Sequence, residues 1–398
     1  MLRWLLAATV LAVASGCESV DFSNKKEDAQ KRWFNARSRV LYRLAQNRFS
    51  AGQLDKAAES VKQALVLQAE FPEAELLMAK IQIEQGRYSL AVKRLTAFEK
   101  DHPNSSELAY LLGAAQEKGG MLEEALASYR RAYALDESNL SAVKAAAEVL
   151  VEMGHVRRAR TQIDSYLPKA GEDAGMYELA GRLAAMTGDH SQAVEHYQRA
   201  CDLDAQNHRY LEMLGRSQYR AERYAEAVDT LTELMARRDH KAETWAFLML
   251  GDSYLALGKA HKAFDAYFSA SEQTPDEPGI WVALARAALA MGDAERSVLS
   301  ARTALRLAPA HVDAALLLGY ALLRKGESAE AVGTLKAAAI AHPDNATVRC
   351  LLGRAHAAAG NEADAIRSYT EALRIDPGNV VARHLLSAAG GRELSKAD

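Results

Sequence analysis

Residues 312–345 read VDAALLLGYALLRKGESAEAVGTLKAAAIAHPDN, and this pattern returns every 34 residues along most of the chain. Number the stretch from 1, so that Gly326 is position 15. Gly52, Gly86, Gly120, Gly154 and Gly188 hold that position in earlier units. Glu222 takes it once, and Gly258, Gly292, Gly326 and Gly360 resume it after a two-residue slip. Position 8, here Gly319, is glycine or alanine in every unit, and position 20, here Ala331, is alanine everywhere except Ser297. A fixed period of this length marks units that cannot bury an apolar face alone and must stack on their neighbours.

Within a unit, positions 4, 7, 8 and 11 recur at helical spacing and predict the buried stripe of a first helix, helix A. Positions 20, 24 and 27 do the same for a second, helix B. Small residues at 8 and 20 let the two axes approach. Larger ones at 24, namely Tyr129, Tyr197, Tyr267 and Tyr369, are expected to fill gaps between hairpins. Glycine at 15 suits a helix that ends in a left-handed residue. Pro103, Pro275, Pro309, Pro343 and Pro377 at position 32 stop helix B, because proline lacks the amide a helix interior requires.

Leucine at 7, Gly/Ala at 8, Gly at 15, Ala at 20, Tyr at 24, Ala at 27 and Pro at 32 together resemble the tetratricopeptide signature over roughly residues 38 to 377. The resemblance implies an all-α fold, a right-handed superhelical α-solenoid of about ten helix-turn-helix units. Departures are local. Position 4 is aromatic only as Tyr177, Phe247 and Trp281, and Phe98, Tyr166 and Leu234 replace alanine at 27. The organisation expected is a signal peptide at 1–16, an anchor and polar tether at 17–37 that turns helical near its end, repeats 1–6 at 38–241, repeats 7–10 at 242–377, and a capping helix with polar tail at 378–398. The capping helix is expected to stop at Gly390-Gly391. The insertion Arg237-Arg238-Asp239-His240-Lys241, in the repeat whose position 15 is Glu222 rather than glycine, predicts a bend between the two blocks.

The N-terminal residues differ in kind. Arg3 precedes an apolar run from Leu5 to Ala14, shorter than the roughly 20 residues a transmembrane helix needs, and Ala14-Ser15-Gly16 leads to Cys17. That string resembles the lipobox of bacterial lipoproteins, with alanine where the family usually carries leucine. The resemblance implies cleavage before Cys17 and acylation of its amino-terminal cysteine. Glu18 in place of an inner-membrane retention aspartate favours the outer membrane over the inner. The remaining cysteines, Cys201 and Cys350, lie in units five repeats apart, too far for a disulfide.

Composition narrows function. The chain is 49% hydrophobic and 25% charged with a net charge of -3, so no overall basic field directs it to nucleic acid. No metal-site, nucleophile-elbow or phosphate-loop motif is present in the sequence, and carboxylate pairs such as Glu123-Glu124 fall at helix starts, where acids suit the helix dipole. The reading is a binding protein without cofactor or metal, not an enzyme.

Binding is then expected on the exposed stripe of helix A, positions 2, 5, 9, 12 and 13, which in the resembling family line a concave groove. In repeats 1–5 this stripe has more acids than bases. In repeats 6–10 it carries Arg209, Arg216, Arg220, Arg286, Arg324 and Arg354 against Glu212, Asp252 and Asp313, with Tyr219, Trp245 and Tyr320 as rigid anchors. Arg182 of repeat 5 adjoins that set. Arginine's planar fork suits bidentate carboxylate recognition, so the expected partner is an acidic protein segment or envelope complex, or an anionic polysaccharide. Such repeats occur in lipoproteins that scaffold exopolysaccharide export and in pilotins of type IV pili. Those resemblances imply a membrane-anchored periplasmic scaffold; an envelope chaperone or adaptor and a glycosyltransferase accessory subunit are the competing readings.

Overall fold

A computed structural model describes residues 22–237 and 243–396, with side chains described for 26–237 and 243–389. The described residues form α-helices joined by short turns, with a single 3₁₀ turn at Leu167–Lys169. Each unit is a hairpin as expected: in repeat 9, helix A spans Val312–Lys325 and helix B Ser328–Ala341. Positions 4, 7, 8 and 11 of that helix A, Ala315, Leu318, Gly319 and Leu322, are buried.

Helix A ends as predicted. Every position-15 glycine has a positive φ, and in repeat 8 the Asp293 amide reaches back to the Ala288 carbonyl at 2.9 Å, closing the terminal turn. Repeat 6 makes the same turn without glycine. Glu222 sits at φ 59°, and the Arg223 amide donates to the Gln218 carbonyl at 2.9 Å. Stacking in the array holds this residue in a conformation that its Cβ disfavours.

The hairpin interior adds to one expectation. The position-24 tyrosines cluster with the next hairpin, Tyr197 with Leu211 and Leu214 and Tyr267 with Ile280 and Leu284, and each also lies across the position-8 glycine of its own hairpin. A Cβ added at Gly251 would come within 2.4 Å of the Tyr267 ring. At Gly353 it would meet Tyr369 at 2.5 Å, at Gly113 it would meet Tyr129 at 2.8 Å, and at Gly181 it would meet Tyr197 at 3.0 Å. All four rings are essentially fully buried. Where position 8 is alanine, as at Ala45, Ala147 and Ala285, position 24 is the aliphatic Val61, Ile163 or Ala301. The two positions therefore share one volume, as close packing of a protein interior demands.

Both ends differ from expectation. The first helix runs Phe22–Ser50, 29 residues, so the segment expected as a polar tether is helical from residue 22 onward and continuous with helix A of repeat 1. The last helix, Val380–Lys396, continues through Gly390-Gly391, because a glycine weakens a helix by only about 1 kcal/mol and does not end one unless it turns left-handed. It caps the array: Ala382 is buried, and Leu385 and Leu386 pack with Cys350, Tyr369 and Ala372.

By its contacts the chain divides into two compact units, 1–171 and 172–398. The division follows the shortened helix B of repeat 4, Val156–Tyr166, and its 3₁₀ turn. The bend expected between repeats 6 and 7 rests on residues 238–242, which lie outside the described residues.

Candidate binding groove

Helix A presents one row of side chains at position 9 and flanking rows at 2, 5, 12 and 13. In repeat 9 the burial follows this register: Tyr320, Asp313 and Arg324 are exposed or half-exposed, while Leu316 and Leu323 are half-buried beside them. Through the second unit the position-9 row reads Arg182, Arg216, Asp252, Arg286, Tyr320, Arg354.

The arginines of this surface fall into two groups. Arg182 and Arg209 converge on Glu178, at 3.6 and 3.7 Å. Arg216 pairs with Glu212 one helical turn away at 2.9 Å and lies over the Trp245 ring, 3.7 Å from its centroid. Trp245 in turn donates its indole N–H to Glu243 at 2.9 Å. These residues are engaged with one another. Arg220, Arg286 and Arg324, by contrast, are exposed and make no ion pair among the described residues. Arg354 is exposed too, with its guanidinium 5.8 Å from the Tyr320 ring centroid.

Asp252 interrupts the basic row, and its charge alone gives no hint of its partners. It accepts a hydrogen bond from Tyr219 at 3.0 Å and another from the core tyrosine Tyr267 at 2.5 Å. Burial, with the Asp252 bond and charge, holds the Tyr267 phenol far above its ordinary range, so it remains a donor. The first unit repeats the device: Tyr129 donates to Glu117 at 2.6 Å, and burial followed by that bond raises its phenol likewise. Lys80 and Glu107 there pair at 2.7 Å.

An apolar cavity of about 400 Å³ opens on the same face of repeats 8–10, lined chiefly by Leu289, Leu316, Leu317, Tyr320, Cys350, Leu351, Arg354 and Val381. Sequence reasoning missed it by counting charges alone. Leu289, Leu316 and Cys350 occupy groove positions 12, 5 and 5, and an apolar residue on a nominally solvated stripe is the signal that would have found it. Cys201 and Cys350 are both free and buried, and burial pushes the Cys201 thiol up to about 11. Among the described residues no helix is long and apolar enough to cross a membrane. Cys17 and the apolar run before it lie outside them.

A solenoid of helical hairpins that presents a charged row and an apolar cleft on its helix-A face is a helical-repeat binding protein. The family model for the tetratricopeptide repeat matches residues 76–139, 144–208, 212–278, 282–346 and 322–380, and the chain belongs to that family. None of the curated proteins searched matches it. Among solved structures, it is similar to a chain of the APC/C hetero-tetramer Cut9–Hcn1. That match has 17% identity over 88% of this chain and 76% of that one, with a TM-score of 0.40. It is also similar to MamA, at 21% identity over 44% of this chain and 94% of that one, TM-score 0.41. A thermophilic tetratricopeptide repeat protein of Thermus thermophilus, TTC0263, is 22% identical over 46% of this chain and 98% of that one, TM-score 0.36.

Proposed function

We propose that this protein is a lipid-anchored periplasmic scaffold that holds an acidic, amphipathic segment of an envelope protein in the groove of repeats 6–10. The family's general role, binding protein partners, is the ground for calling it a scaffold. The observation that supports the acidic segment is the sorting of the groove charges. Its acids Glu212 and Asp252 are occupied by Arg216 and by two tyrosines and Asp313 is exposed, while Arg220, Arg286 and Arg324 make no ion pair among the described residues on a face that also carries an apolar cavity. A partner that supplies carboxylates and one or two apolar side chains matches both features. The engaged arginines, Arg182, Arg209 and Arg216, shape the surface more than they advertise charge.

The anchor reading rests on Arg3, the Leu5–Ala14 run and Ala14-Ser15-Gly16-Cys17. Acylation at Cys17 would fix the array to the periplasmic face of a membrane, with two or more chains needed for stable attachment. An export or assembly scaffold is preferred to a pilotin because the array is long.

Crosslinking followed by affinity purification from membranes tests the groove, and labelling with fatty acid tests the anchor. The wild type should yield one stoichiometric partner, and Arg220→Glu/Arg286→Glu/Arg324→Glu should lose it while remaining folded and membrane-bound. Retention by the triple variant overturns the groove assignment. A broad set of weakly held clients would make the protein a chaperone instead. If the wild type takes up no labelled fatty acid, or Cys17→Ser takes up as much, the anchor assignment fails.

A further inference from the structure

The first helix is 29 residues long, about twice the 13 or 14 of the other helices A. Residues 22–37 precede the first repeat, roughly 24 Å of helix at 1.5 Å per residue. From 26 to 48 it carries seven lysines and arginines against Glu27 and Asp28, within a chain whose net charge is -3. One face, with Ser38 and Ala45, is buried against the array. Another bears Trp33, Val40 and Leu44, which are 53%, 67% and 39% exposed. At 100° per residue these three fall within roughly 40° of one another, a continuous apolar stripe. Arg37 flanks it on one side, 5.2 Å from the Trp33 ring centroid, and Arg32, Arg39 and Arg43 flank it on the other. None of these four arginines makes an ion pair among the described residues.

An exposed tryptophan-led stripe bordered by unpaired arginines has the chemistry of a helix that lies in a bilayer interface. The apolar residues enter the headgroup–acyl boundary, the arginines stay among the phosphates, and tryptophan favours that depth. We infer that the helix Phe22–Ser50 docks along its Trp33–Val40–Leu44 face onto an anionic phospholipid surface. The charge selects that occupant over a neutral one: an array that is acidic overall would be repelled by such a surface unless its basic end faced it. This docking needs no acyl chain, so it stands apart from the Cys17 assignment, and together the two would set the array's orientation on the membrane.

The full chain is mixed with vesicles of phosphatidylcholine, alone or with phosphatidylglycerol, containing lipid brominated midway along the acyl chain. The emission of Trp33 itself is read as the difference between the protein and Trp33→Phe. It should be quenched on the phosphatidylglycerol vesicles only. Arg32→Gln/Arg37→Gln/Arg39→Gln/Arg43→Gln, which leaves the buried face untouched, should weaken that quenching roughly a hundredfold in lipid concentration, and high salt should mimic it. Cys17→Ser should leave it unchanged. Trp33 emission that stays unquenched while the protein floats with the vesicles would overturn the inference, as would quenching indifferent to phosphatidylglycerol or to the four arginines. So would sedimentation showing the stripe buried in a dimer that Trp33→Ser/Leu44→Ser dissociates.

Discussion

In repeat 7, positions 8 and 9 are Gly251 and Asp252; in repeat 8, the next hairpin, they are Ala285 and Arg286. Behind Gly251 lies the Tyr267 ring, whose hydroxyl passes through the hairpin and ends on Asp252. Behind Ala285 the helix-B residue is Ala301, fully buried and without a polar atom to offer. Arg286 is consequently tied to nothing in its own hairpin. The difference shows that groove chemistry is decided partly in the core. In repeats 3 and 7 a position-24 tyrosine fixes a groove carboxylate, Glu117 or Asp252, whereas in repeat 8 Ala301 offers Arg286 nothing to bind. Counting acids against bases treats both alike and so understates how basic the available surface is.

The comparison is broken most strongly at Gly251→Ala. The new methyl would collide with a ring that is fully buried and hydrogen-bonded, so a loss of about 1–3 kcal/mol is expected in urea unfolding of the second unit. Adding Tyr267→Leu should recover much of it, since Ala79 and Leu95 already coexist in repeat 2. If the double variant is as unstable as the sum of the two single ones, the shared-volume account is wrong.

A smaller effect, of opposite sign, is expected at Glu222→Gly. Relief of the left-handed strain outweighs the extra unfolded-state freedom of glycine, for a net gain of about 0.5–1 kcal/mol in the same measurement. No gain would mean that neighbouring contacts have removed the strain.

The smallest contrast vanishes at neutral pH. The folded-state pKa values of Tyr129, Tyr197 and Tyr267 lie above their unfolded values, chiefly through burial. Their contribution is therefore complete below about pH 10, where unfolded tyrosine begins to ionise, and is lost as pH rises beyond it. Melting temperature should fall more steeply above that pH for the wild type than for Tyr267→Phe. Parallel profiles would remove Tyr267 from the account.

The fold was legible because its determinants are local and steric. A left-handed turn at 15, a close approach at 8 and 20, and a helix stop at 32 each restrict one position to one or two residue types, and repetition makes the restriction visible. The direction in which Tyr267 points was not legible from position 24 taken by itself, although the pairing of Gly113, Gly181, Gly251 and Gly353 with tyrosine sixteen residues on was present in the sequence. The partners of Asp252 lie 33 residues before it and 15 after it, and only the stacked helices bring both hydroxyls to one carboxylate. The groove arginines can be picked out as a set from their register, but their division into engaged and free members depends on distances. A helical end to the tether was legible but its start at Phe22 was not, because a solvated, basic helix carries no core-facing period over its first residues.

The glycine–tyrosine fit also limits how such an array can be rearranged. Lock and key sit in the same hairpin, so helix B of repeat 7 joined to helix A of repeat 8 would drive Tyr267 against the methyl of Ala285. Exchange of pieces between a glycine–tyrosine hairpin and one with alanine at position 8, by recombination or by design, is safest at cuts made after position 32, where one hairpin gives way to the next. Cuts at the position-15 turn, although exposed and short, separate residues that must be inherited together.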